Sequence, residues 1–198
     1  MLTAVIVIAT IVIVGFLLAY MLAQKSVTTV QQLIHQHRYE EAAQQPAADS
    51  AGHLHRGEAL RLLGRFDDAI AAYKRSDDPA AREGIALSLA HQGRDLDEAK
   101  RLMEQTIAMF PQIQEFQALG LAYILLKKGE RDAAMRTFGD NVELLETRFR
   151  DDYTDADPLL AETLFMFAEL AQAAGDKERG AALRKQAAQW APGSVWSR

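Results

Sequence analysis

Residues 56–73 read RGEALRLLGRFDDAIAAY, and this stretch decides how the rest of the chain is read. Apolar residues recur at three- and four-residue steps on both sides of Gly64, the spacing of two amphipathic helices that meet at a turn. Gly57 and Ala69 place one small residue in each helical pattern, and Tyr73 stands one turn beyond Ala69. Small residues let two helix backbones approach closely. Outward from here the outline recurs as Gly84, Ala99, Met103 and Pro111, then as Gly120, Ala134 and Phe138, then as Gly175, Gly180 and Pro192. One such pair cannot bury its apolar face alone, so the units must stack.

Composition agrees with an all-α chain. Of 198 residues, 49% are apolar and 25% charged, the proportions of a folded protein. Ala is abundant, β-branched residues concentrate near the N-terminus, and only five prolines occur. The net charge is −5 and no stripe of Lys or Arg appears, which argues against a nucleic-acid partner. With no Cys, disulfides, thiolate catalysis and Cys-based zinc sites are excluded.

The spacing Gly57, Gly64, Ala69, Tyr73 resembles a tetratricopeptide (TPR) unit, and Leu119, Gly120 and Tyr123 resemble that motif's Leu-Gly-x-x-Tyr. Pro111, 12 residues after Ala99, stands where the motif closes. The resemblance extends over residues 26–192. It implies a right-handed, TPR-like α-solenoid of about four to five helix pairs, with residues 193–198 as a tail; the apolar run ahead of it adds an N-terminal transmembrane helix to the expected all-α fold. The anchors Ala42, Ala69, Ala99, Ala134 and Gly180 are 27, 30, 35 and 46 residues apart, against about 34 in a strict array. The pairs are expected as Ala51–Leu63 with Phe66–Ser76, Ala81–Gln92 with Glu98–Phe110 within a repeat running from Ala80 to Pro111, Gln112–Lys128 with Arg131–Leu145, and Pro158–Ala174 with Lys177–Trp190. A looser first pair holds Val27, Val30, Leu33, Ile34, Tyr39 and Ala42. Asp157-Pro158 reads as the N-cap and first residue of a helix. Arg184 takes the usual aromatic position in the last pair, as suits an end repeat facing water, and Val195 and Trp196 fold back on that end or fray.

Leu2–Ala23 carries no charge over 22 residues. At about 1.5 Å per residue it spans roughly 33 Å, enough for a hydrocarbon core of about 30 Å. No Lys or Arg precedes it and no small-x-small cleavage site follows, so it reads as a retained anchor of a single-pass protein in a bacterial inner membrane. Lys25 and Arg38 follow the segment, which places the helical domain in the cytoplasm by the positive-inside bias. Gly15, Ala19 and Ala23 fall on one face and would suit a self-associating anchor.

Function then reduces to the concave groove that the first helices line. Proteins with this motif that grip acidic tails use Lys and Asn as a carboxylate clamp. The matching positions here are Leu54 and Glu58, Ala81 and Ile85, Gln117 and Leu121, so no clamp exists. The expected partner-binding residues are Leu54, Glu58, Arg61, Ile85, Gln117, Leu121, Ile124 and Phe165, a largely apolar set that suits an amphipathic helix or apolar peptide. The same residues could instead be core between repeats.

Other constellations are weaker. His35/His37 and His53/His55 are two apart and diverge on a helix, unlike a metal pair at i, i+4. Asp151, Asp152, Asp155 and Asp157 lack the Gly and the spacing of a Ca²⁺ loop. No phosphate loop or nucleophile elbow appears. The reading is a non-enzymatic, membrane-anchored adaptor with a protein partner, no cofactor and no metal. It resembles bacterial TPR proteins that regulate lipopolysaccharide synthesis, without their four-Cys module, and small anchored TPR factors for assembling membrane complexes. Alternatives are a self-associating structural protein and a metal-dependent enzyme using the Asp151–Asp157 loop.

Overall fold

The computed structural model describes residues 30–111, 114–151 and 156–198. Helical residues 30–35 precede α1 (Tyr39–Gln44), α2 (Ser50–Leu62), α3 (Phe66–Tyr73), α4 (Ala80–Gln92) and α5 (Leu96–Met109). Next come α6 (Gln114–Lys127), α7 (Arg131–Gly139), α8 (Val142–Asp151), α9 (Ala161–Ala174) and α10 (Lys177–Trp190). Short 3₁₀ turns cover Pro158–Leu160 and Val195–Ser197. Among the described residues no helix is long and apolar enough to cross a membrane. The segment Leu2–Ala23 and the residue Val27 lie outside the described residues, as does most of the Asp151–Asp157 loop.

Tyr73 shows why these helices stack. A Cβ built on Gly57 of α2 would lie 2.5 Å from its ring, and one on Gly84 of α4 would also lie 2.5 Å from it. The ring is therefore gripped between the first helices of two successive pairs, at a separation only glycine permits. Ala42, Ala69, Ala99 and Ala134 are all fully buried, so the small-residue anchors sit at helix contacts. Gly64 adopts φ +75°, the left-handed conformation that lets α2 turn sharply into α3. Thus α2 packs on α3, α4 on α5, α6 on α7 and α9 on α10, while α2, α4 and α6 touch in sequence as an inner row.

Three expectations change. Arg131–Leu145 is not one helix: α7 ends at Gly139, and α8 starts at Val142. The Asn141 side chain donates to the Thr137 carbonyl at 2.8 Å, satisfying a helix end, while Leu145 is fully buried in the new direction. Pro158–Ala174 is likewise divided into a 3₁₀ turn and α9, although Asp157 caps as expected, accepting from Leu159 N at 2.9 Å.

The largest change concerns the end of the array. The last pair is not an open end, although α10 keeps an exposed outer side. Its first helix packs back on the array, with α9 against α6 of the inner row and against α7. Arg184 lies over the Phe165 ring at 5.1 Å and pairs with Glu169. One apolar core joins Val30, Ile34, Tyr39, Ala59 and Ala81 from the early pairs to Ala161, Leu164, Trp190 and Trp196 from the last. A second core joins the middle pairs to Met166, Phe167 and Leu170 of α9. Trp196 is 6% exposed and stands 6.2 Å from Phe66 and 5.0 Å from Phe165, so the tail closes on the front of the array as well as on its own end.

Candidate functional site: the inner face beneath the closing helix

On α2, Leu54, Glu58 and Arg61 follow one another at helical spacing and so share one face. With Tyr73, Ala80, Glu83 and Gly84 they line a cavity of about 170 Å³. A neighbouring cavity of about 180 Å³ shares Arg61 and Glu83, and runs past Leu87 and Phe116 to Leu159, Leu160, Glu162, Thr163 and Met166. The two meet at Arg61 and Glu83 as one cleft, whose second part runs between the inner row and α9. Three carboxyls face one guanidinium there. Burial pushes the Glu83 carboxyl up, against the pull of Arg61. Glu58 accepts from His55 Nδ1 at 2.8 Å, and that bond raises the imidazole's pKa despite burial. The Tyr73 hydroxyl is buried with no partner, and burial pushes it far above its ordinary value.

One wall of the cleft is a charged fastening. Arg61 Nη1 lies 2.8 Å from Glu162 Oε2, and His91 Nε2 lies 2.7 Å from Glu162 Oε1. Tyr123 OH stands 3.0 Å from His91 Nδ1. One carboxylate of α9 thereby reaches α2, α4 and, through the imidazole, α6. Burial alone would raise the Glu162 pKa, but Arg61 and then His91 outweigh it and hold the carboxyl low. Burial lowers His91 more than Glu162 raises it, which favours the neutral ring. A neutral ring fixes the protons: His91 Nε2–H donates to Glu162, and the Tyr123 hydroxyl donates to Nδ1. Hydroxyl, imidazole and carboxylate form a chain, yet Tyr123 is 1% and Glu162 4% exposed. The chain joins helices α9, α4 and α6. Around it His91 stacks on Phe66 at 5.3 Å and lies 4.6 Å from Trp196.

Of the eight residues expected to bind a partner, the structure brings Leu54, Glu58 and Arg61 into the cleft. Ile85 and Phe165 are half-buried and pack against both cores, and Leu121 packs against the second. Gln117 and Ile124 are 1% and 0% exposed, so both are interior. Sequence reasoning missed Tyr73, Glu83 and Glu162 as cleft residues. Their signal is present: a Glu within the apolar run of α9 and a His and an Arg on inner helices must find one another. The His-x-His pairs diverge. His35 lies 4.0 Å from Asp157, His37 bonds to Tyr39, His53 is buried between α2 and α3, and His55 meets Glu58. Among the described residues no group of three or more His, Asp or Glu gathers as metal ligands would.

No protein-family model and no curated protein matches the chain. Solved structures do. A MamA structure from AMB-1 has a TM-score of 0.52 at 18% identity, covering 83% of this chain and 96% of the other. MamA from MSR-1 gives 0.51 at 18% identity, over 85% and 95%. A Podosopora anserina kinesin light chain structure of nearly identical TPR-like repeats gives 0.51 at 13% identity, over 84% and 93%. Pairing, small-residue anchors and these likenesses agree: the chain has the TPR-like helical-repeat fold.

Proposed function

We propose that this chain is a membrane-anchored repeat scaffold whose inner face holds a segment of a protein partner, for assembly or regulation of a membrane-associated complex. The observation that carries the reading is the cleft itself, which stays open beside the closing helix with Arg61 and Glu83 on its floor. Leu54, Phe116 and Leu159 offer apolar wall, and Glu58, Glu83 and Glu162 outnumber Arg61. An amphipathic helix or apolar peptide carrying a basic side chain complements that lining. The uncharged run Leu2–Ala23 supports anchoring, and Lys25 and Arg38 favour a cytoplasmic domain at a bacterial inner membrane.

Photo-crosslinking in cells from Leu54, compared with exposed Lys185, tests the partner. A discrete foreign protein captured only from Leu54, and lost in a folded Glu83→Lys variant, is the expected result. Crosslinks solely to further copies of the chain would replace this reading with self-association, and no specific product would sink it. Resistance to alkaline extraction from membranes tests the anchor, and a C-terminal topology reporter tests the side.

A further inference from the structure

On the opposite side of α2 from the cleft, the crevice between α2 and α3 forms a cavity of about 160 Å³. His53 and Arg56 enter it from α2, Asp68 and Arg75 from α3 and its end, and Arg65 from the turn between them. Arg65 donates to Asp68 Oδ2 from Nε at 3.0 Å and Nη2 at 2.7 Å, so these two largely neutralise one another. Arg56 and Arg75 have no ion pair among the described residues. Arg56 Nε is buried without an acceptor. His53 is 7% exposed, and its Nδ1 also has no partner.

We infer that this crevice is a binding site for a phosphate oxyanion. An unmatched buried donor is costly, about 1–3 kcal/mol, and here Arg56 Nε–H, with His53 Nδ1 as a second donor when it carries the ring proton, lines one crevice with two guanidinium charges that have no ion pair. A single acceptor-rich anion satisfies all of them. Donors that come from two helices suit a tetrahedral oxyanion better than a planar carboxylate, and guanidinium groups bind phosphate in a directed, charge-assisted way. The free site bears one further mark. Burial, then the charges of Arg75 and Arg56, hold His53 below its ordinary pKa, while Asp49 pulls the other way. A bound anion would cancel the arginine contribution and raise it. The phosphate can be a free ion or the headgroup of an anionic lipid.

The test follows the His53 ring resonance of the full chain in neutral detergent while inorganic phosphate is titrated against chloride at constant ionic strength. A saturable rise in the His53 pKa is expected. Arg56→Gln and Arg75→Gln should each weaken the apparent affinity about tenfold, the scale of one lost charge-assisted bond. Asp68→Asn should tighten it, an outcome that misfolding cannot imitate. Nanodiscs of phosphatidylcholine, with and without phosphatidylglycerol, separate the sources. A His53 shift in the anionic discs without added phosphate assigns the headgroup, and a shift with inorganic phosphate alone assigns the free ion. No saturable shift in either setting, or one unchanged in both arginine variants, overturns the site.

Discussion

Tyr73 is the residue on which the packing can be tested most sharply. Both neighbours of its ring are glycines, so the ring cannot slide away from a methyl group added at either. Gly84→Ala gains up to about 1 kcal/mol in helix propensity but overpacks the ring, and should destabilise by about 2 kcal/mol net in urea melts. Tyr73→Phe removes a buried, unpartnered hydroxyl and should be neutral or stabilising by up to about 1 kcal/mol. His91 supplies a test by pH. Its folded pKa is lowered, so its contribution is complete above the unfolded value of about 6.5 and is lost as pH falls through and below it. The groups facing it are Glu162, Tyr123, Arg61 and Lys127. His53 acts in the same direction, and His55, whose pKa is raised, in the opposite one. The melting temperature should therefore drop less between about pH 7 and pH 5 in His91→Gln than in the parent chain. At this scale the sequence was legible wherever a rule is local. Ala42, Ala69, Ala99 and Ala134 are buried as their spacing requires. Gln117 and Ile124 were not legible as core, because what covers them is fixed by how pairs stack and not by their neighbours in sequence.

Among the elements, α9 carries the most consequence. Its Glu162 is the counter-charge for Arg61 and the acceptor for His91, and all three are shielded from water. Glu162→Ala takes from the shielded Arg61 its partner at ion-pair distance, leaving only the more distant Glu58 and Glu83, and should cost about 3–5 kcal/mol. Arg61→Met combined with Glu162→Leu removes both charges and should recover most of that loss, because a buried ion pair adds little over apolar packing of similar volume. A double variant as unstable as Glu162→Ala would show that the pair does more than balance charge. Helix limits followed from capping and turn chemistry, as at Asp157 and Gly64. The break between α7 and α8 did not. Nothing in RTFGDNVEL stops a helix outright, and the turn is set by the burial of Leu145 and the side-chain bond of Asn141. The inserted α8 also explains the 46-residue step from Ala134 to Gly180 that departs from the repeat period.

The molecule as a whole is a repeat array closed by its own last pair. An open solenoid is held by contacts between neighbours only, and its stability is nearly a sum over repeats. Here Trp196 and α9 bind early pairs to late ones, so the described domain should unfold in one cooperative step. Trp196→Ala should cost about 3–5 kcal/mol. Hydrogen exchange should then rise in α3 and α4, far from the mutation in sequence, as well as in α10. Protection lost only in α10 would show that the closure is not what couples the ends. This closure lay beyond sequence reading because its contacts join residues dozens of positions apart, where periodicity carries no signal. It also sets a clock. Arg61 and Glu162 are 101 residues apart in the chain. At about 5–20 residues per second, synthesis leaves the arginine waiting roughly 5 to 20 s for its carboxylate. During that interval Leu54 and Arg61 are displayed on a broad face that α9 has not yet narrowed to a cleft. A segment that binds there while the chain is still being made meets the whole inner face, and one that arrives later has to enter the cleft that remains beside α9.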